Sequence, residues 1–449
     1  MKADLVWLGL DWDEGPDKGG PHAPYRQSER GEIYKEYAAK LLATGAAYPC
    51  FTTEEELEAQ RAAVEATGEA AHYDGTWRDA DPALVAAKVA AGDPYTVRFR
   101  VPKGSSVAIN DCVRGEVRWD ADATVGDFVL LRSSGVPVYN FCVAVDDALM
   151  RVTHVIRAEE HLTNTVRQGL VLEALGFPLP TYAHASLILG ADRQKLSKRH
   201  GATSVAQYRQ DGFLREAMVN YLASLGWNDG TEKEIYSVDE VVSAFGLERM
   251  TKAPSMFDPA KLKWVNGMHI RALSPAALEL LVLPVLLAAP FLAVAEPSSA
   301  FVRLAVANAQ DKMEVLTDAV HILQDVLKYP LAATVGSAEA AEMAADDLRG
   351  VAGAVVAAFD AGKLPRGDEA DFEARWKAFV RDLGKATGRK GKRLFHPMRV
   401  CLTGSFSGPD VGAQLLLLAE ANRQVVEGTA VPLPQRMDML RAWAQQPTA

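Results

Sequence analysis

Apolar positions recur at helical spacing from Glu32 to Thr44 and again from Thr53 to Ala66, where Glu54 to Glu58 supply the acidic first turn that a helix dipole favours. Alternation of apolar and charged residues takes over from Tyr95 to Val101, the pattern of a half-buried strand. Phe128 to Leu131 and Val136 to Val145 flank Ser133-Ser134-Gly135 and predict a hairpin. The first 150 residues therefore read as mixed α and β. Val152 to Ile156 is a β-branched run, Asn164 to Leu175 returns to helical periodicity, and Ala185 to Leu189 is apolar before Gly190. Strand, helix, strand in that order predicts a βαβ unit of a parallel sheet. From Phe213 onward the pattern is helical, in Leu214 to Leu225, Ala276 to Leu283, Phe301 to Leu327, Ala338 to Phe359 and Gly412 to Glu427. Gly362, Pro365 and Gly367 mark a break or linker in that half.

Composition narrows the class. At 449 residues the chain exceeds one hydrophobic core, which argues for about three domains. Hydrophobic residues make up 49% and charged residues 24%, the balance of a globular protein. Cys50, Cys112, Cys142 and Cys401 form no closely spaced pair, which argues against a structural zinc and against a secreted disulfide framework. A reducing compartment follows. The most apolar stretch, Leu280 to Ala295, contains Pro284 and Pro290 and is shorter than the roughly 20 residues needed to span a bilayer; it reads as a buried helical segment, and no membrane partner is expected. Met1 to Trp12 shows no signal-peptide pattern and looks like the interior of a domain.

A formal charge of −10 disfavours nucleic acid unless the cations cluster. They do between Arg381 and Arg399, where Arg381, Lys385, Arg389, Lys390, Lys392, Arg393 and Arg399 face one acid, Asp382. That segment suits a phosphate backbone, and Phe395 with His396 suits unstacked bases. A solvated basic loop without a ligand fits the same residues.

The string that carries chemistry is Leu187-Ile188-Leu189-Gly190-Ala191-Asp192-Arg193-Gln194-Lys195-Leu196-Ser197-Lys198-Arg199-His200-Gly201. It sets Lys195, Lys198 and Arg199 in a loop after an apolar strand, where cations can neutralise charge developing on a triphosphate attacked at its α-phosphorus. A bare Lys-x-x-Lys-Arg also fits an ordinary surface loop. Arg157 stands at the end of the strand Val152 to Ile156, the place where open parallel sheets bind ligands. A guanidinium there can hold a carboxylate bidentately, and Glu160 can accept hydrogen bonds from a nucleotide. A strand-end ion pair is the plainer alternative.

The full string resembles the class I aminoacyl-tRNA synthetases, whose second signature is a Lys-Met-Ser-Lys-Ser-type loop, here Lys195, Leu196, Ser197, Lys198 and Arg199. Taken on through Gly201 to Val205 it is similar to the glutamyl-tRNA synthetases in particular. Gly20 to Arg30, Pro137 to Met150, Thr153 to Thr165, Asp211 to Gly230 and Lys261 to Gly267 agree with that family, so the resemblance covers almost the whole chain.

The resemblance implies a class I Rossmann-like catalytic domain, α/β in class, with an α+β acceptor-stem insertion, followed by all-α stem-contact and anticodon-binding domains. It divides the chain into residues 1–150, a partial catalytic domain with the insertion; 151–202, the second Rossmann-like half with the signature loop; 203–270, the stem-contact domain; and 271–449, the anticodon domain. It implies that Tyr139, Val143 and Arg157 bind L-glutamate. Glu160, Ile188, Lys195 and Lys198 would bind ATP, which enters with Mg²⁺, and Lys195 and Lys198 would be catalytic. The implied partner is tRNA(Glu), the implied state a monomer, and the implied compartment the cytoplasm, or a plastid or mitochondrion. Relatives that hold zinc do so through clustered cysteines, whereas here Cys50 is alone and Tyr73-Asp74-Gly75 occupies the later region, so no zinc is expected.

No His-Ile-Gly-His-type motif, which in this class binds ATP phosphates at a helix N-terminus, occurs in the sequence. The resemblance begins at Trp7, inside the family's catalytic domain, so the sequence reads as N-terminally incomplete, and activity of the chain as it stands is open. Two alternatives therefore stand beside a glutamate ligase. One is a catalytically inactive tRNA-binding remnant. The other is a glutaminyl-tRNA synthetase, whose anticodon region is built from β-barrels, whereas Ile270 to Ala449 reads as helices, with Ser274-Pro275 fitting an N-cap and first turn.

Overall fold

A computed structural model describes residues 1–65, 73–197, 199 and 204–446. The chain forms two compact units, residues 1–201 with 222–258, and residues 202–221 with 259–449.

The first unit holds the described strands: β1 (Ala47–Cys50), β2 (Thr96–Phe99), β3 (Ser106–Asp111), β4 (Gly115–Asp120), β5 (Phe128–Leu131), β6 (His154–Ala158), β7 (Thr181–Ala185), β8 (Ile188–Leu189) and β9 (Ser255–Met256). Strands β1, β2 and β5 form an antiparallel sheet. The helix Gly31–Ala43 packs here by Tyr34, Ala38 and Leu41, spaced by four and three residues so that they share one face. Around them Phe99, Leu130, Phe141, Val145, Val166 and Val171 complete the core. Each such side chain contributes about 1.5–3 kcal/mol on burial. Asp146 ties the preceding segment to this core, accepting from Arg30 Nε at 2.7 Å and from Tyr34 Oη and Gln27 Nε2 at 2.9 Å. It is a structural carboxylate.

The predicted βαβ unit is present: β6 and β7 pair in parallel from His154↔Thr181 to Ala158↔Ala185, and the helix Leu162–Ala174 crosses between them. Strands β3 and β4 make a hairpin whose register closes at Asp111↔Gly115. Along β3, Val107, Ile109 and Asp111 are buried while Ser106, Ala108 and Asn110 are exposed, so the pleat turns the carboxylate inward with the apolar side chains. The turn that follows meets β7, where the Cys112 amide donates to the Tyr182 carbonyl at 2.8 Å.

Several elements differ from their predicted form. Val136 to Val145 is not a strand: Pro137 makes an isolated bridge to Leu131, and Tyr139–Leu149 is a helix. That run is apolar at nearly every position and so carries no period of its own; packing against the helix Leu162–Ala174 selects the helical form. Ala185 to Leu189 is not one strand either. Ala185 ends β7, and Ile188–Leu189 leaves that pair to join Ser255–Met256 in parallel, a partner that no local pattern announces. Leu280 to Ala295 is not a buried helix throughout, because the helix Pro275–Leu287 stops ahead of Pro290 and leaves Leu280 75% exposed.

Among the described residues of the second unit there are helices and no strands. Ser274 caps the helix Pro275–Leu287 as its spacing predicts, its hydroxyl accepting from the Ala277 amide, with Pro275 in the first turn. The predicted run Phe301 to Leu327 breaks between the helices Ser299–Ala309 and Asp318–Leu327, where Asp318 Oδ2 accepts from the Glu314 and Val315 amides. No described helix is long and apolar enough to cross a membrane.

Candidate functional site

Arg157 lies one residue before the end of β6, facing His184 across the parallel pair. Its Nε donates to His184 Nε2 at 3.2 Å and its Nη2 to Thr165 Oγ1 at 2.8 Å. A guanidinium has five N–H donors, so the far end, Nη1 with the second Nη2 hydrogen, remains for a carboxylate. His184 is fully buried, and its Nδ1 is 2.6 Å from Asp111 Oδ2. Burial pushes the His184 pKa down; Asp111 opposes that, and the charge of Arg157 adds to it. The imidazole is neutral near pH 7. Burial opposes ionisation of Asp111, but the Arg114 amide, His184 and the Val113 amide outweigh it and hold the carboxyl below its ordinary value.

Past β6 the chain makes a single turn, Glu159–His161, and its two carboxylates serve different neighbours. Glu159 pairs with Arg114 at 2.6 Å and accepts from the Leu187 amide at 3.1 Å, bracing the start of the signature loop. Glu160 forms an ion pair with Lys195, whose attraction holds the exposed Glu160 carboxyl below its usual range. The loop itself is a tight turn: the Gly190 amide donates to Gln194 O, Asp192 Oδ1 accepts from the Gln194 amide, and Arg193 takes a positive φ of 60°. Lys195 then bridges back to Leu189, and the Leu196 amide donates to Ile188 O at 2.9 Å. Arg199 turns to Asp192 at 3.3 Å. Ser197 is exposed, and Lys198 lies outside the described residues.

On the other side, Tyr139 opens the helix Tyr139–Leu149 and is 51% exposed, lining a cavity of about 510 Å³ with Arg132 and Asn140. Val143, one turn on, is half-buried. The Tyr139 ring stands 6.3 Å from that of His161, which also lies 3.8 Å from Glu160. Gln168 donates to Asn140 at 3.0 Å, and Asn164 lies 3.1 Å from His161, so a polar strip joins the two helices that flank the site. Tyr139 is thus tied through His161 to Glu160 and Lys195, and Arg157 is tied through β7 to Asp111.

The family described as class I tRNA synthetases for E and Q, catalytic domain, matches residues 1–264, and an anticodon binding domain matches residues 281–422. The glutamate–tRNA ligase of Heliobacterium modesticaldum is 43% identical over 417 residues, 92% of this chain and 82% of the relative. That of Carboxydothermus hydrogenoformans is 41% identical over 94% of this chain and 87% of its own. The chain belongs to the glutamate–tRNA ligase family. A solved member from Elizabethkingia meningosepticum, crystallised with its amino acid, superposes with a TM-score of 0.79 at 29% identity, covering 99% of this chain and 88% of that one.

This glutamate–tRNA ligase family member carries functional candidates that the sequence pattern alone passed over. His161, Asn164 and Thr165 lie within the stretch Thr153 to Thr165 that agrees with the family, and their helical spacing after Glu160 was the available signal. His184 and Asp111 had none, being 73 positions apart. The basic segment Arg381 to Arg399 is not a loop but two helices, Phe372–Thr387 and Lys392–Thr403, joined at a short turn. Arg389 and Arg393 are both paired with Asp346, and half-buried Arg399 donates to the Pro409 carbonyl at 2.7 Å. Arg381, Lys385 and Lys390 line a cavity of about 570 Å³ beside Phe395, which is 50% exposed. Buried Cys50 accepts from Arg98 Nε at 3.3 Å and lies 3.4 Å from Tyr73 Oη.

Proposed function

We propose that this chain is the glutamate–tRNA ligase its family membership points to. L-glutamate attacks the α-phosphorus of ATP, giving glutamyl-adenylate and pyrophosphate, and the terminal adenosine of tRNA(Glu) then takes the acyl group and releases AMP. The observation that carries this is Arg157, a half-buried cation at a parallel strand end with one face satisfied by the protein and the other left for an anion. On this reading Arg157, Tyr139 and Val143 hold glutamate, Glu160 and Ile188 hold the adenosine, and Lys195 with Lys198 neutralises the phosphates of ATP, which enters with Mg²⁺. Lys195 would exchange Glu160 for phosphate as ATP binds, an inexpensive exchange because that ion pair is exposed. Residues 203–270 would contact the tRNA stem and 271–449 the anticodon, with Arg381, Lys385, Lys390 and Phe395 facing nucleotides. We place the work in the cytoplasm, as a monomer.

A glutaminyl enzyme is disfavoured by the helical second unit, since the described residues from 259 onward contain no strand. Glutamate-dependent ATP–pyrophosphate exchange, with glutamine as the control, tests the assignment. Exchange with glutamate alone is expected, and Lys198→Ala should slow it by roughly 10²-fold, the scale of losing one donor aimed at developing charge. Exchange with glutamine alone would overturn the substrate. Salt-sensitive tRNA binding without any exchange would replace the ligase reading with a binding-only one.

A further inference from the structure

Four groups lie in line behind the proposed glutamate site, and their hydrogen-bonding capacities leave one arrangement of protons. At the inner end Asp111 is an acceptor only, already taking the amides of Val113 and Arg114 at 2.9 Å and that of His184 at 3.1 Å. At the outer end Arg157 is a donor only. Between them stands His184, fully buried, its ring 5.9 Å from and nearly parallel to that of Tyr182. Because Asp111 can only accept, the proton of His184 sits on Nδ1. Nε2 is then a bare lone pair facing Arg157 Nε at 3.2 Å. Thr165 fits the same order: its hydroxyl accepts from Arg157 Nη2 at 2.8 Å and turns its own hydrogen to His184 Nε2 at 3.2 Å.

We infer that Asp111 and His184 are positioning residues for the amino-acid site: Asp111 locks His184 in the Nδ1–H tautomer, and the bare Nε2, with Thr165, grips the Nε–Nη2 edge of Arg157 and aims its free end at the substrate carboxylate. This rests on the reading of Arg157 as a glutamate ligand. Inverting the tautomer would set an N–H against an N–H at the Arg157 edge, turning a grip into a repulsion, and the guanidinium would lose its fixed direction. Asp111 reaches β7 from the β3–β4 hairpin, so glutamate recognition depends on a segment that touches no substrate. The adjoining Arg114 makes that hairpin turn a brace for the neighbouring loop as well, through Glu159 and through Ser186 Oγ at 3.1 Å.

The test is calorimetric titration of the whole chain with L-glutamate and, separately, with MgATP. Asp111→Asn presents an N–H to Nδ1 and forces the proton to Nε2. His184→Asn keeps a donor toward Asp111 but loses the acceptor toward Arg157, whereas His184→Gln retains an acceptor at the Nε2 position. Asp111→Asn and His184→Asn should each weaken glutamate about tenfold or more, the scale of one hydrogen bond to a charged group, with MgATP affinity unchanged and His184→Gln recovering most of the loss. Nitrogen-15 shifts of the His184 ring should show Nδ1 protonated and Nε2 bare in the unaltered chain. Arg157→Ala is the control for the underlying reading: if it leaves glutamate binding intact, Arg157 is not the ligand and the reading and this inference fall together. If Arg157→Ala weakens glutamate while Asp111→Asn and His184→Asn do not, only the inference falls. A wild-type ring protonated on Nε2 overturns it independently, and decides the matter even if a substituted chain fails to fold.

Discussion

Two buried or half-buried arginines, one in each unit, differ in how many of their nitrogens the protein itself engages. Arg436, in the second unit, is fully buried, and it donates only to main-chain carbonyls: Val431, Leu402, Val326, Leu327 and Lys328, at 2.8–3.2 Å. Val326 and Leu327 end the helix Asp318–Leu327, and Leu402 lies in the last turn of Lys392–Thr403, so one guanidinium satisfies orphan carbonyls at the negative ends of two helices. Burial pushes its pKa down to about 10, and Tyr329 opposes the change; it stays charged at neutral pH. Arg157 in the first unit also has two of its nitrogens engaged, but by His184 and Thr165, and Nη1 has no partner among the described residues. A cation with all three nitrogens engaged by main-chain carbonyls holds the fold; one with a nitrogen left over at a strand end is available to an anion.

That contrast can be broken by substitution. The largest effect is expected for Arg436→Met, which leaves several buried carbonyls unpaired at about 1–3 kcal/mol each, so a loss of at least ~3 kcal/mol in thermal or denaturant unfolding, with glutamate affinity of the folded protein unchanged. Arg157→Lys should do the opposite: little change in melting, and glutamate binding weakened about 30-fold or more, because an ammonium cannot keep both the His184–Thr165 edge and a bidentate carboxylate. Equal melting losses from both would remove the distinction.

Smaller effects sharpen it. Asp147, next to the structural Asp146, is raised to about 6 by burial, with Arg157 opposing and Asp146 adding to the shift. The folded state keeps this proton up to about pH 6, whereas the unfolded chain releases it near 3.8. Stability therefore falls as pH rises between those values, and the penalty is complete above them. Asp147→Asn should raise stability by about 1.5 kcal/mol at pH 7.5, a figure discounted for partial exposure, and change nothing near pH 3. Ser274→Ala, which removes one helix cap in the second unit, should cost about 1 kcal/mol and leave glutamate and ATP untouched.

Local grammar and long-range pairing differed in how far they could be read. The cap at Ser274, the acidic start of Glu54–Glu65 and the βαβ order around Arg157 were legible because each depends on residues within a turn or two of one another. The helix Tyr139–Leu149 was misread because an apolar run without a period leaves the choice of form to its packing partner. The ion pair of Glu160 with Lys195 was half legible, both residues being candidates for one nucleotide although nothing in their spacing paired them. The Asp346 clamp on Arg389 and Arg393 was invisible, and it shows why a count of clustered cations overstates the charge available to a phosphate backbone.

By itself the sequence determined the family, the helical second half, the strand that carries Arg157 and the loop that carries Lys195, because these are written in contiguous residues whose periodicity and side-chain chemistry act locally. Only the tertiary structure decided which donors those residues have left to offer. Asp111 and His184 stand 73 positions apart, and the packing of the β3–β4 turn against β7 that brings them together is a property of no segment of the chain. A hydrogen-bond donor becomes a binding group through what its neighbours leave unsatisfied, and those neighbours are chosen by the fold.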